Sequence, residues 1–354
     1  MTRAISILFA FAGWAVVDAI AEHHILSEIL EGGVRDKVYP GAIGLIGNLD
    51  GVLYTNPVGG HSYDHSDTRT KEDTLFDLAS LTKVVSTTSA VSLLYQNGYL
   101  QLDSVISSVL GDGFNNGGKD NVTVLNCLLH NAGFAPDPVP WYWDPAFGCP
   151  NTAHEYPEQD FSCLNSMIYD SFLSETLVTP PGEAYVYSDL SFITLQMVVG
   201  TLVLEHSLVP LKEMSACLAL ENTKGSTAVS SKPQQIVCAF EAFVRTEVFH
   251  RPSPTPTSTT SSAGAWMPST TYLPAQARWP TAMPTLNDTG PGSYTHKRLQ
   301  GQVADGDCYA MGGIAGHAGV FSTAPDLAVL AQYLLARAVE ATTTTSTTAT
   351  STLA

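Results

Sequence analysis

Positively charged side chains are scarce in this sequence. Its 354 residues include 16 Lys and Arg but 33 Asp and Glu, which gives a formal net charge of −17 at pH 7. Such a surface repels a polyanion, and no basic stretch interrupts the pattern. We therefore expect no nucleic-acid partner, and we interpret the acidic excess as a solvated surface that favours solubility.

Several motifs that define enzyme classes are also missing. The six cysteines show no C-x-x-C spacing, so neither a zinc knuckle nor a thioredoxin-type redox pair is indicated. There is no G-x-S-x-G elbow and no glycine-rich phosphate loop, which argues against an α/β-hydrolase and a nucleotide enzyme. His61 and His65 are spaced like metal ligands on a helix, but the Gly and Asp residues around them indicate a loop. We predict neither a metal nor an organic cofactor.

Long apolar runs are missing except near the N-terminus. The run Ala4–Val17 follows Arg3, and residues 1–21 resemble a signal peptide with a small-residue cleavage site; the alternative is the start of an amphipathic helix. We expect a secreted, periplasmic or lumenal protein if the signal is real, and otherwise a cytoplasmic one. Cys149 and Cys163 could pair after export, or remain buried thiols. No other run is long enough for a stable membrane span.

The rest of the chain predicts one domain with two interleaved parts. Two β-type runs, Gly41–Gly47 and Val52–Thr55, flank a turn-rich segment and predict a hairpin. Helical spacing of apolar residues begins at Ser80 and stops at Gly98. We predict a domain over residues 22–340, with a sheet part (22–75 and 300–340), a helical part (76–299) that contains a Ser/Thr/Pro-rich insertion (253–262), and a low-complexity tail at 341–354.

The first chemical motif is the segment Ser80-Leu81-Thr82-Lys83. A serine at a helix start and a lysine one turn later lie on the same face, so the hydroxyl and the amine can touch. A serine hydroxyl is a weak nucleophile, whereas a lysine desolvated by apolar neighbours loses its proton more readily and can accept the serine proton. The alternative is a capping serine with a surface lysine. Because the motif opens the most apolar helix of the chain, we take Ser80 as the candidate nucleophile and Lys83 as its base.

The second motif is Tyr187-Ser188-Asp189, which follows a Pro-Gly turn and precedes a predicted helix. A phenol beside a cation gains access to its phenolate form. Tyr187 could then relay protons to and from the serine or the leaving group. The alternative is a core tyrosine at a helix entry.

Together these segments resemble the serine β-lactamase-related family, which includes low-molecular-weight penicillin-binding proteins, class C β-lactamases and several carboxylesterases. The resemblance covers most of residues 25–340. It implies an α/β fold of the α+β type, with an antiparallel sheet flanked by helices and an inserted, mostly helical subdomain. It also implies that Ser80 is acylated, that Lys83 is its partner base and that Tyr187 is the Y-x-N tyrosine. The matching segments are Tyr39–Ala42, Asp77–Lys83, Val122–Val124, Leu128–Gly133, Pro181–Gly182, Tyr187–Asp189 and Gly312–Leu327.

The sequence departs from the family pattern in two places. Asp189 stands where the family has Asn, so it can pair with Lys83 but, when ionised, cannot donate to a substrate carbonyl. We also expect the sequence to be truncated before the third family motif, a K-T-G or H-T-G tripeptide that builds half of the oxyanion hole. His317-Ala318-Gly319 has the H-x-G shape, but its surroundings resemble the segment upstream of that motif. The candidate substrate-binding residues are Asp189, His317 and Gly319.

We therefore predict a serine hydrolase that is acylated at Ser80 by an ester, a D-alanyl peptide or a β-lactam. Esterase or carboxypeptidase-like activity is favoured over true β-lactamase activity, and the expected partner is a small-molecule or peptide acyl substrate. The oligomeric state is left open. The alternative is a catalytically inactive relative that acts as a binding or scaffold protein, because loss of the third motif leaves only the Ser80 amide at the oxyanion site.

Overall fold

The computed structural model describes residues 24–64, 67–144, 147, 167–222, 231–251, 266–288 and 297–350. The predicted signal segment, His65, the Cys149 and Cys163 pair and the insertion at 253–262 lie outside the described residues. The chain divides into two compact units. The first contains Met1–Thr74, Pro256–Ser261 and Thr323–Ala354, and the second contains Leu75–Thr255 and Ser262–Ser322.

The first unit contains the predicted hairpin. Strand β1 (Gly41–Asn48) pairs antiparallel with strand β2 (Gly51–Gly59), so each strand extends beyond its predicted run. In the turn, the Asn48 side-chain Oδ1 accepts the amide hydrogen of Asp50 at 2.8 Å. This side-chain to backbone bond is the reason that Asn favours turns, and the hairpin prediction is confirmed.

Two helices complete the described part of the first unit. Helix α1 spans 24–35, and helix α10 (Ala324–Thr350) packs on β1, where Gln332 Nε2 donates to the Asn48 carbonyl at 2.9 Å. The backbone of α10 stays helical into the Thr-rich segment at 341–350. An existing helix can continue through such a segment because each added residue gains one backbone hydrogen bond.

The second unit is mostly helical in its described part. The helix predicted to run from Ser80 to Gly98 is present, although its first turns are wound as 3₁₀ and π turns rather than as regular α-helix.

None of the helices in the described stretches is both long and apolar enough to cross a bilayer. The α-helices are α2 (Ser89–Gln96), α3 (Ser107–Leu110), α4 (Val124–Leu128), α5 (Tyr169–Ser174), α6 (Asp189–Glu205), α7 (Leu211–Asn222), α8 (Lys232–Phe243) and α9 (Gly306–Ala310). The other turns are 3₁₀ at Ala79–Leu81, Asp112–Phe114, Lys119–Asn121 and Gln276–Thr281, and π at Lys83–Thr88 and Val244–Phe249.

Helix α6 lies in the core of the second unit. Every residue from Leu190 to Val203 is buried, as expected for a helix that is apolar on nearly all faces. Gly200 allows α6 to approach α8 closely, since a Cβ at this position would lie 2.2 Å from the Ile236 carbonyl oxygen. A disulfide between Cys217 and Cys238 joins α7 to α8. The position of α6 is therefore fixed by close packing on a cross-linked helix pair.

The described strands form three separate two-stranded antiparallel sheets, whereas the resemblance predicted a single sheet. The mixed α/β content agrees with the predicted fold class. Two of the sheets lie in the second unit: β3 (Phe76–Asp77) pairs with β6 (Phe321–Ser322), and β4 (Pro284–Asp288) pairs with β5 (Lys297–Gln300).

The pairing of β3 with β6 prepares the candidate site. The chain leaves β3 directly into the turn that contains Ser80, and the glycine-rich segment 312–319 leads directly into β6. The Leu78 amide extends the pairing by donating to the Val320 carbonyl at 2.8 Å. Two segments that are more than 200 residues apart in sequence are thereby placed side by side.

Candidate active site

The candidate nucleophile lies at the start of the helical segment that leads into α2. Ser80 is exposed, whereas the Lys83 side chain one turn later is only 4% exposed. Lys83 Nζ lies 2.9 Å from Ser80 Oγ, within hydrogen-bond distance. The contact that the S-x-x-K spacing predicts is therefore present.

A strained turn presents Ser80. The preceding residue, Ala79, has φ +45°, a left-handed conformation that residues with a Cβ rarely adopt. Asp77 holds this turn: its Oδ1 accepts the Ala79 amide hydrogen at 2.9 Å, and its Oδ2 accepts the Ala304 amide hydrogen at 2.9 Å. Burial raises the pKa of Asp77, and the two N–H donors oppose that rise. The Asp77 carboxylate thus connects the Ser80 turn to the segment just before α9.

Lys83 Nζ is surrounded by three acceptors. It lies 2.9 Å from Ser80 Oγ, 3.2 Å from the main-chain oxygen of His317 and 2.7 Å from Asp189 Oδ1. The contacts with Ser80 and His317 are hydrogen bonds, and the contact with Asp189 is an ion pair. Such pairing is required, because an unpaired charge at this depth would be costly.

Tyr187 and Asp189 are brought to Lys83 by the first residues of α6. Ser188 caps that helix, accepting the Ser191 amide hydrogen at 3.4 Å and donating from its hydroxyl to the Ala135 carbonyl at 2.6 Å. The Tyr187 ring centroid lies 4.8 Å from Lys83 Nζ, a cation–π distance, and the side chain is 45% exposed. The structure therefore gathers Ser80, Lys83, Tyr187 and Asp189 at one place.

His130 also belongs to this group, although sequence analysis assigned it no role. Its ring lies against that of Tyr187, with centroids 4.4 Å apart, and its Nδ1 accepts the Ser188 amide hydrogen at 3.0 Å. Burial lowers the pKa of His130, and the nearby charge of Lys83 lowers it further. The neutral imidazole of His130 therefore packs against the phenol ring of Tyr187. Its only signal in the sequence was its position in the matching segment Leu128–Gly133.

The glycine-rich segment 312–319 is fixed by side chains from two helical elements. Gln196 of α6 donates to the Ile314 carbonyl at 3.0 Å and accepts the Gly316 amide hydrogen at 2.9 Å. Thr87, in the π turn before α2, donates to the Gly316 carbonyl at 2.7 Å. These bonds hold the segment next to Lys83.

A pair lies at the end of this segment, in which the His317 side chain is 1% exposed and the Asp305 side chain 32% exposed. His317 Nε2 is 2.9 Å from Asp305 Oδ1, and the same oxygen accepts the Cys308 amide hydrogen at 2.7 Å as the N-cap of α9. Burial opposes the charged imidazole, but the Asp305 carboxylate raises the pKa of His317 above its ordinary value. Burial would likewise raise the pKa of Asp305, but His317 and the N-cap bond hold it at about 2. Each side chain thus stabilises the charged form of the other.

The structure buries both of the more distal substrate-binding candidates. The His317 side chain points to Asp305, and its contribution to the Lys83 group is the main-chain oxygen. Gly319 has φ +105°, and a Cβ there would lie 2.6 Å from the Gly313 oxygen and 2.7 Å from Cys308 Sγ. Substrate contact by either residue stays a prediction, as it does for Asp189.

Among the described residues, Asp189, Asp305 and His317 have the composition of a metal site, with one ligand atom from each within 4.8 Å of the others. Asp189 is already paired with the Lys83 ammonium, and His317 with Asp305. A cation bound there would have to displace the ammonium that faces Ser80. We therefore assign the three side chains to the Lys83 network rather than to a metal.

Comparison with known proteins identifies the family. The β-lactamase family model matches residues 26–202, a stretch that contains Ser80, Lys83, Tyr187 and Asp189. The chain belongs to the β-lactamase family. The predicted resemblance is therefore confirmed, while His317 and Gly319 lie outside the matched residues.

Relatives in this family include curated proteins from Salmonella. A putative D-alanyl-D-alanine carboxypeptidase of Salmonella agona (strain SL483) is 25% identical over 281 residues, which cover 74% of this chain and 51% of the relative. A protein of the same description from Salmonella schwarzengrund (strain CVM19633) is 25% identical over 336 residues, covering 86% and 63%. The chain thus spans between half and two thirds of the length of these β-lactamase-family relatives.

Solved structures of the family share the fold. The D-alanine carboxypeptidase AmpC of Burkholderia cenocepacia superposes with a TM-score of 0.54 at 16% identity, covering 90% of this chain and 64% of that one. A class C β-lactamase from Rhodobacter sphaeroides superposes with a TM-score of 0.50 at 15% identity, covering 88% and 64%. The β-lactamase and transpeptidase-like fold class is therefore confirmed.

The close approach at Gly319 generates a stability prediction. Gly98 has φ +77°, and a Cβ there would meet nothing within 4 Å, so it is a matched control for the positive φ alone. Gly98→Ala should lower the free energy of unfolding by about 1–2 kcal/mol. Gly319→Ala should cost about 2 kcal/mol more, because main-chain and sulfur atoms fill the space. Urea unfolding of both variants measures the difference, and equal losses would contradict the packing described for Gly319.

Proposed function

We propose that the protein is a serine hydrolase that forms an acyl-enzyme at Ser80. The observation that carries this proposal is the 2.9 Å contact between the exposed Ser80 hydroxyl and the buried Lys83 amine. A serine needs such a base to become a nucleophile. Family membership and the names of the carboxypeptidase relatives support the same reaction class.

The proposed reaction has two halves. Ser80 Oγ attacks the substrate carbonyl carbon while its proton passes to Lys83, the bond to the leaving group breaks, and the leaving group takes up a proton through Tyr187. Water then attacks the acyl-Ser80 ester and releases the acid. Lys83 accepts that proton as a neutral amine, and the Asp189 carboxylate, 2.7 Å away, stabilises the ammonium that forms.

We propose an uncharged ester as the preferred substrate. The two cationic side chains described beside Ser80 and in the neighbouring segment already have carboxylate partners, since Asp189 pairs with Lys83 and Asp305 with His317. Neither is free to bind a substrate carboxylate without giving up its partner. An ester needs no such cation, so it fits these side chains better than a substrate that ends in a carboxylate.

A D-alanyl peptide is the second candidate substrate. It is favoured by the description of the curated relatives as putative D-alanyl-D-alanine carboxypeptidases. The lack of a free cationic partner among the side chains described above argues against its terminal carboxylate. A direct comparison of substrates distinguishes the two candidates.

The test uses the purified protein and its Ser80→Ala variant. Each is incubated with a reactive short-chain ester, a D-alanyl peptide and a labelled penicillin, and intact mass and product release are recorded. We expect an adduct or turnover that requires Ser80, with the ester as the fastest substrate. A folded wild-type protein that gives neither adduct nor turnover would refute the hydrolase proposal and leave the inactive binding or scaffold protein in its place.

Asp189→Asn should change substrate preference. The resemblance gives Asn at this position the task of donating to a substrate amide, which an ionised Asp cannot do. An uncharged ester that carries an amide and a plain ester of the same size both lack a carboxylate and lose the Lys83–Asp189 ion pair equally, so the ratio of amide-ester to plain-ester acylation isolates the new donor. One added hydrogen bond contributes about 1 kcal/mol, so the ratio should rise roughly five- to tenfold. An unchanged ratio would remove Asp189 from the substrate-binding set.

A further inference from the structure

We propose that Asp305 is a positioning residue for acylation, which acts by orienting His317 so that the His317 carbonyl holds Lys83 beside Ser80. This inference rests on the hydrolase function proposed above. Asp305 itself touches neither Ser80 nor Lys83 through a described contact, and no sequence motif pointed to it. Its effect on the reaction would therefore be transmitted through its partners.

Asp305 is tied to the site by two routes. Its side chain accepts from His317 Nε2 at 2.9 Å, and the His317 carbonyl oxygen accepts from Lys83 Nζ at 3.2 Å. The neighbouring Ala304 amide donates to Asp77, whose other oxygen holds the Ala79 amide before Ser80. Asp305 thus stands between the chain segment that presents the nucleophile and the one that orients the base.

The side-chain contact of His317 depends on Asp305. The imidazole is fully buried, and its Nδ1 has no hydrogen-bond partner among the described residues. Bonds from Thr87 and Gln196 fix Ile314 and Gly316 but do not reach residue 317. The bond to Asp305 is therefore the described polar contact that sets the orientation of the His317 side chain.

Charge makes this contact stronger than an ordinary hydrogen bond. The Asp305 carboxylate has a pKa of about 2 and raises the pKa of the buried His317, and a hydrogen bond with an ionised partner is about twice as strong as a neutral one. The other charged groups that act on His317 are Asp189 of α6, which favours the imidazolium, and Lys83, which disfavours it. The two carboxylates, Asp305 and Asp189, together balance the positive charges of Lys83 and of His317 in its protonated form.

The test exploits the second role of Asp305 as the N-cap of α9. Asp305→Ser keeps a good capping side chain for the Cys308 amide but is too short to reach His317. Asp305→Asn keeps both the cap and an acceptor for His317 but removes the charge. If the role of Asp305 were only to cap α9, both variants would behave as wild type.

We expect the rate of Ser80 acylation by a short-chain ester to fall about tenfold or more in Asp305→Ser, with KM unchanged, because Lys83 is less well oriented. Asp305→Asn should recover part of the rate. NMR titration should show the pKa of His317 lower in both variants than in wild type. Urea unfolding of each variant checks that the fold is retained.

The outcomes separate the two proposals. If wild type itself gives neither a Ser80-dependent adduct nor Ser80-dependent turnover, the hydrolase function fails and the positioning role fails with it. If wild type is acylated and Asp305→Ser is acylated at the same rate, the positioning proposal alone is overturned. An unchanged His317 titration in Asp305→Ser would also overturn it, since the charged pair would then not exist. Should Asp305→Ser fail to fold, the proposal is overturned by a folded Asp305→Asn with a wild-type rate and an unchanged His317 titration.

Discussion

The Lys83 ammonium is the charge around which the site of this protein is built. A cation at this depth is stable only if it is fully paired, and Lys83 finds its partners on three separate segments: the Ser80 turn, the start of α6 and the glycine-rich segment 312–319. Each segment has its own support. Asp77 holds the first, Ser188 caps the second, and Gln196 and Thr87 fix the third.

The close packing of the second unit serves the same arrangement. Gly200 brings α6 against α8, and the pairing of β3 with β6 places the Ser80 turn beside the glycine-rich segment. A shift of α6 or of the strand pair would separate acceptors that must all lie within about 3 Å of one nitrogen. The core residues thereby control the distances on which the proposed chemistry depends.

Local patterns in the sequence were enough to predict the contact between Ser80 and Lys83, the hairpin and the helix after Tyr187. Those features depend on neighbours three or four residues apart, where spacing alone decides which side chains meet. Asp305 and His130 were missed because their partners are brought to them only by the fold. His317 and Gly319 were predicted to bind substrate, and this stays a prediction. Their burial depends on Asp305, Cys308 and Gly313, which local spacing cannot reveal. The described strands form small separate sheets rather than the single predicted sheet. Strand pairing joins residues that are far apart in sequence, so local patterns do not reveal it.

The dependence of Ser80 acylation on Lys83 is tested most directly by a variant that replaces both members of the Lys83–Asp189 pair. The Lys83→Met/Asp189→Asn double variant leaves no unpaired buried charge from that pair, so its fold should survive. Its rate of Ser80 acylation by a short-chain ester is measured against wild type by intact mass. We expect a fall of about a hundredfold or more, the usual range for loss of a general base. A rate within a few fold of wild type would show that Ser80 does not depend on Lys83.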